Sequence, residues 1–290
     1  MDRQSEQEDD MGRRTSFVIT KEQTWAITAA SVVLFIILNW LFADGMFSMP
    51  LWNAEEWVSS PIITYLMIAL ILFAGWRQAT TLPAQGITMR LGNGEVTPGQ
   101  VQDPLIWRLL LGNVFVALFW LPVRFFVGRE WLTAGLHKVT DPGWMDGGAS
   151  LQGYWTNAAA IPEGGRAPIT YDWFRQFLQY MLDNGWYTWF AKLVAVGEVL
   201  IGIGLIVGAL VGIAAFFGTL MNFSFMLAGS ASTNPVLFGL AVFLVLAWKV
   251  AGYWGLDRYL LPILGTPWQH EATATAPEAV LPGGLSAGRR

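Results

Sequence analysis

Apolar residues in this chain fall in long blocks, not in the period-two alternation of half-buried strands. Such blocks occupy 24–43, 62–76, 186–210, 212–227 and 235–253, and the latter part of the stretch 106–138 reads the same way. A helix rises about 1.5 Å per residue, so about 20 residues cross a hydrocarbon layer of about 30 Å. The pattern predicts an all-α, polytopic membrane protein with six spans. As a single helix the stretch 106–138 would be about 50 Å long, too much for one span and too little for two. It is expected to be one tilted helix, kinked at Pro122, with 106–111 near the inner surface.

Between the spans Lys and Arg are unevenly shared. With the N-terminus inside, the inner segments hold Arg3, Arg13, Arg14, Lys21, Arg77, Arg90, Arg108, Arg258, Arg289 and Arg290, and the outer loops hold Arg166 and Arg175. The positive-inside rule then places both termini in the cytoplasm. The expected organisation is a polar cytoplasmic tail (1–20), a two-span extension with a cytoplasmic loop (21–105), a four-helix core (106–265) with a long outer loop (139–185), and a disordered cytoplasmic tail (266–290). The Arg13-Arg14 pair has the look of a twin-arginine signal. The run that follows is longer than a signal core and carries no A-x-A site, so it reads as an uncleaved first span.

Composition supports a bilayer as solvent. Hydrophobic residues make up 54% and charged residues 13%, against about 25% charged in soluble domains, and the mean hydropathy is +0.43. A net charge of −4 speaks against a nucleic-acid surface. The chain has no Cys, so it holds no disulfide, thiol nucleophile or Cys-ligated cluster, and its only histidines are His137 and His270. No metal, haem or iron–sulfur cluster is expected.

Most of the sixteen Trp residues flank predicted spans, as an aromatic belt does. Within the outer loop, Trp173, Phe174, Phe177, Leu178, Met181 and Leu182 recur at helical spacing behind Asp172, a predicted N-cap. This segment is expected to lie flat on the outer surface, either as a seal on the bundle or as a lid over an outward-facing site.

Ionisable groups inside spans are costly unless paired or hydrated, and therefore informative. Arg124, Arg129, Glu130, Lys192 and Glu198 qualify, with His137 and Lys138 at the outer edge. Arg124, Gly128, Trp131, Gly135 and Lys138 share one helix face, where glycines admit a neighbouring backbone. Counted from the outer surface, Arg124 lies at roughly 21 Å, Arg129 at roughly 13 Å and Glu198 at roughly 18 Å. Lys192 and Glu130 lie at roughly 9 and 12 Å. Matching depths predict pairs of Glu198 with Arg124 or Arg129, and of Glu130 with Lys192. The group forms either ion pairs that orient helices or a polar pocket opening outward, suited to an anion and to proton movement.

At these residues the chain resembles the DoxX/DoxD family of small bacterial and archaeal membrane proteins, which includes the DoxD-type membrane subunit of thiosulfate:quinone oxidoreductase. The similarity lies in the basic, Gly and aromatic pattern of 124–131 and 134–138, in the Gly-Glu segment 197–208, in the ending 251–259, and in Trp144 and 148–154. It covers about 117–264, and two N-terminal spans precede it. The resemblance implies a four-helix core in a prokaryotic plasma membrane, a membrane quinone as cofactor, and a second redox subunit on the outer face as a possible partner.

Two functions follow as expectations. In the first, an enzyme oxidises thiosulfate or a similar sulfur anion, with Arg124, Arg129 and Lys138 binding the substrate and Glu198 with His137 relaying protons to quinone. No side-chain set here carries electrons, so transfer is either direct or through a partner. In the second, the chain is a non-enzymatic scaffold or quinone-binding subunit that anchors a redox partner. A transporter fits least, because the halves show no inverted repeat.

Overall fold

The computed structural model describes residues 16–42, 61–90, 103–165 and 167–266. Arg13-Arg14, Arg166, His270 and most of both predicted tails lie outside the described residues. The architecture is helical, as expected, with one addition. Strand β1 (Ser16–Ile19) pairs antiparallel with β2 (Ile87–Arg90), Ser16 opposite Arg90 and Ile19 opposite Ile87. Four residues per strand are too few for a legible alternation, and β1 falls where a polar tail was expected.

Helix α1 (Lys21–Phe42) starts at a capping box: the Gln23 amide donates to Thr20 Oγ1 at 3.2 Å, and the Thr20 amide to Gln23 Oε1 at 3.1 Å. Its inward stripe of Thr24, Thr28, Ser31, Phe35 and Leu38 faces α2 (Pro61–Thr81) and the helices that follow. Gly75 of α2 admits this approach, since a Cβ there would collide with the Thr28 side chain. Val33, Ile36, Trp40, Leu66 and Phe73 remain exposed on the other faces, as lipid-facing positions are.

The stretch 106–138 is bent, and not where proline suggested. Helix α3 (Leu105–Gly112) ends at Asn113; a 3₁₀ segment (Val114–Phe119) follows, then α4 (Trp120–Thr140), with a bend of 77°. Asn113 Oδ1 accepts from the Phe115 amide at 2.9 Å, and Trp120 Nε1 donates to the Leu110 carbonyl at 2.8 Å, so side chains satisfy groups the break leaves open. Pro122 sits in the first turn of α4, where its missing N–H is no loss.

Across the polar loop, α5 (Pro142–Met145), α6 (Ala149–Ala159) and α7 (Asp172–Asp183) build a cap. Leu151, Trp155, Ile169, Phe174, Leu178 and Met181 form its core, against Ala191 and Ala228 of the bundle. Asp172 is not the N-cap of α7: that position is Tyr171, and Asp172 in the first turn pairs with Arg175 at 2.5 Å. The bundle continues with α8 (Tyr187–Val207), α9 (Val211–Leu227) and α10 (Asn234–Leu246). Regular helix ends at Leu246, short of the predicted 253, and turns lead into α11 (Asp257–Ile263).

Helices α4 and α8 touch backbone to backbone. A Cβ on Gly135 would lie 2.6 Å from the Val199 nitrogen, and one on Gly202 2.6 Å from the Leu132 nitrogen. The glycine face read from the sequence is thus a contact face. Among the described residues, three helices are long and apolar enough to cross a membrane: Lys21–Phe42, Ile62–Thr81 and Tyr187–Val207. The bent pair α3–α4 makes a fourth if it is one span, and α9 and α10 are shorter apolar helices. These helices make the chain a membrane protein by length and composition.

Candidate functional site

Charged groups gather at both ends of α4 and in its middle. At its start, Arg124 is 1% exposed and donates to the carbonyls of Ala251 (3.2 Å) and Trp254 (3.0 Å). Gly208 gives the guanidinium its room, since a Cβ there would collide with it. Buried Asp257 is drawn to Arg124 and caps α9, accepting from the amides of Leu210 (2.5 Å) and Val211 (3.0 Å). Burial pushes the Asp257 carboxyl above the usual range, against those two donors and Arg124. This joint ties α4 to the α8–α9 turn and to the segment after α10. The sequence reading did not single out Asp257.

Arg129 turns toward the N-terminal extension, donating to Thr64 Oγ1 at 3.2 Å and pairing with Glu130 at 3.5 Å. Neither expected pairing is formed. Glu198 is bound instead by Lys138, Nζ to Oε2 at 2.6 Å, and Lys192 lies exposed on α8. The reason is register: Gly135 of α4 lies against Glu198 and Val199 of α8, so Glu198 is level with the C-terminal end of α4, about two to three helical turns from Arg129 and Arg124. Helical side chains lean toward their own N-terminus. Because α4 and α8 are antiparallel, Lys138 leans into the bundle and Glu198 leans out to meet it. The Lys138 ammonium also lies 5.2 Å from the centre of the Trp144 ring in the cap.

Beside this pair lies a cavity of ≈ 330 Å³ that draws on all four core helices. From α4 come Glu130, Trp131, Thr133, Ala134 and His137; from α8, Glu198; from α9, Asn222; and from the start of α10, Asn234 and Leu237, preceded by Thr233. Exposed His137 with half-buried Thr233 and Asn234 forms its mouth. The structure therefore brings Glu198 and His137 to one space, with Lys138 bound to Glu198 beside its lining, and directs Arg124 and Arg129 away from it.

Two residues of this wall were not marked as site residues by the sequence. Asn222 is 0% exposed, yet neither its amide nitrogen nor its carbonyl oxygen has a hydrogen-bond partner, and Trp131, 3% exposed, has no acceptor for Nε1. A buried polar group left unpaired costs about 1–3 kcal/mol. The other polar groups of α9 avoid that cost within their own helix: Thr219 donates to the Ala215 carbonyl at 2.8 Å and Ser224 to Leu220 at 2.9 Å. An Asn inside an otherwise apolar span was the available signal. Trp131 was placed on the glycine face of 124–138 but was not assigned a site role.

The lining, mostly polar with Trp131, Ala134 and Leu237 as its apolar part, suits the polar head of a ligand. Trp131 and Asn222 offer donors, Asn222 and Glu198 offer acceptors, and Glu198, held by Lys138, lines the space where it can exchange a proton with a head group. Among the described residues no three His, Asp or Glu side chains gather as metal ligands. No family model, curated protein or solved structure matches the chain.

Proposed function

We propose that this chain is a DoxX/DoxD-like integral membrane subunit of a prokaryotic plasma membrane that binds membrane quinone in the four-helix core, as part of a quinone-linked oxidation of thiosulfate or a similar small sulfur anion. The observation that carries this reading is the pair of buried, unpaired polar side chains, Asn222 and Trp131, beside the Glu198–Lys138 ion pair. Groups of that kind are retained at a cost when a ligand completes their hydrogen bonds.

The sulfur chemistry belongs on a second redox subunit. Two carboxylates, Glu130 and Glu198, line the cavity, and Arg124 and Arg129 are committed to protein partners, so a dianion would meet its own sign of charge. The docking surface for that subunit is the helical cap at the Lys138 end. In this reading α1, α2, the bent α3–α4 unit, α8, α9 and α10 make six spans, with the cap outside and both termini in the cytoplasm, as the Lys and Arg distribution favours.

The test is extraction of quinone from the purified full chain, followed by an assay of thiosulfate-dependent quinone reduction. Co-purifying quinone that is lost in Asn222→Leu supports the cavity. Turnover only after a membrane partner is added back supports the subunit role; turnover by the chain alone makes it the enzyme itself. Absence of quinone from the wild-type chain, with no quinone binding on re-addition, removes the reading.

A further inference from the structure

The unpaired polar atoms deep in the cavity wall include acceptors as well as donors, and the acceptors carry information about the ligand's redox form. On the acceptor side stand Asn222 Oδ1, which has no partner, and Glu198, whose hydrogen bond runs through Oε2 to Lys138 and leaves Oε1 to accept another. Glu130 adds a second carboxylate to the lining, paired with Arg129 at 3.5 Å. On the donor side, Trp131 Nε1 and Asn222 Nδ2 are buried without a partner, and Thr133, His137, Thr233 and Asn234 add polar groups nearer the mouth. If the Asn222 amide is turned over, its oxygen and nitrogen exchange places and the count is unchanged.

A quinone head carries carbonyl oxygens, which only accept. It can take hydrogens from Trp131 and Asn222, but it leaves Asn222 Oδ1 unpaired and gives Glu198 Oε1 nothing to accept. A quinol head carries hydroxyls, each a donor and an acceptor. One O–H can reach a carboxylate and the other an amide oxygen, while the hydroxyl oxygens still accept from the indole and amide N–H groups. The carboxylate contact is charge-assisted and about twice as strong as a neutral one.

We propose that this cavity discriminates between the redox forms of its ligand and holds the hydroxyl-bearing quinol more tightly than the carbonyl-bearing quinone. The inference rests on the quinone-binding reading and goes beyond it by naming which form the site is built for. The expected preference is about tenfold or more. For a two-electron couple each tenfold corresponds to about 30 mV, so the bound couple is displaced upward by at least about that much from the free one.

The experiment titrates the purified full chain in lipid nanodiscs, without oxygen, with decylubiquinone, with decylubiquinol and with the dimethyl ether of that quinol. The ether keeps the reduced ring and loses both O–H donors, so the comparison needs no mutation. The expected result is a quinol dissociation constant at least about tenfold below that of the quinone, with the ether no tighter than the quinone. Asn222→Leu should weaken binding of both quinol and quinone, and of the quinol more, because it removes an acceptor that only the hydroxyl form uses. Equal binding of quinol and quinone, or tighter quinone, overturns the redox preference and leaves the quinone site standing. An ether as tight as the quinol overturns its hydrogen-bond basis. Failure of both quinol and quinone to bind overturns the quinone site itself.

Discussion

At the scale of single residues, the Lys138–Glu198 pair is asymmetric, and the asymmetry is measurable. Glu198 has a side chain 1% exposed, whereas that of Lys138 is 19% exposed and can turn its ammonium toward the mouth of the bundle. Lys138→Met strands a buried carboxylate and should cost about 3–5 kcal/mol, while Glu198→Gln leaves a cation that can reach water and should cost less. Thermal unfolding of the two variants in detergent checks this; a larger loss in Glu198→Gln would be incompatible with it. Asn222→Leu should behave oppositely to a core mutation. It removes an unpaired amide, so the ligand-free protein should gain about 1–2 kcal/mol while quinone retention is lost. Loss of both stability and retention would mark Asn222 as structural. Charge type was legible in the sequence, but pairing was not, because counting depth from Lys138 and from Trp186 as if they were level misaligned the two helices, whereas Gly135 of α4 meets Val199 of α8.

At the scale of elements, apolar runs located the helices well and their ends less well. The strong runs became α1, α2, α8 and α9 within a few residues. The break in 106–138 escaped because proline is the conspicuous helix breaker in sequence, and at Pro122 the helix is only beginning. The actual break depends on Trp120 reaching back to the Leu110 carbonyl, a contact defined only after the chain has folded. Pro122→Ala should accordingly change stability by less than about 1 kcal/mol, whereas Trp120→Phe should cost about 1–3 kcal/mol by orphaning that carbonyl. Denaturation midpoints of the two variants check the order.

At the scale of the whole molecule, the two N-terminal spans are not a detachable addition. One apolar core runs from Phe35, Leu38, Met67 and Ile71 of the extension into Phe125, Phe126, Leu205 and Leu244 of the four-helix part. Across the same boundary Arg129 finds Thr64, and Ser31 donates to the Leu118 carbonyl at 3.2 Å. Removal of residues 1–82 should therefore leave a guanidinium without its hydroxyl partner and a core cut open, and the truncated chain should fail to give a monodisperse peak on size exclusion. A well-behaved truncated core would show that the boundary drawn from sequence resemblance is also a folding boundary. The sequence marked that boundary by where the resemblance begins, but resemblance carries no record of which surfaces are shared.

The glycine contact between α4 and α8 has a mechanical consequence. With backbones at van der Waals range at Gly135 and Gly202, these two helices are held close enough to move as a stiff plate. Helices α9 and α10 meet through larger side chains, as in the tilted Phe223–Phe238 pair at 6.3 Å, and make a second plate. The cavity lies along the seam of the two plates. A ligand with a long tail need not unfold anything to enter. A small shear of α9–α10 along α4 widens the seam while each plate stays intact, and hydrogen exchange slowed in α9 and α10 more than in α4 and α8 on ligand addition is the signature of that motion.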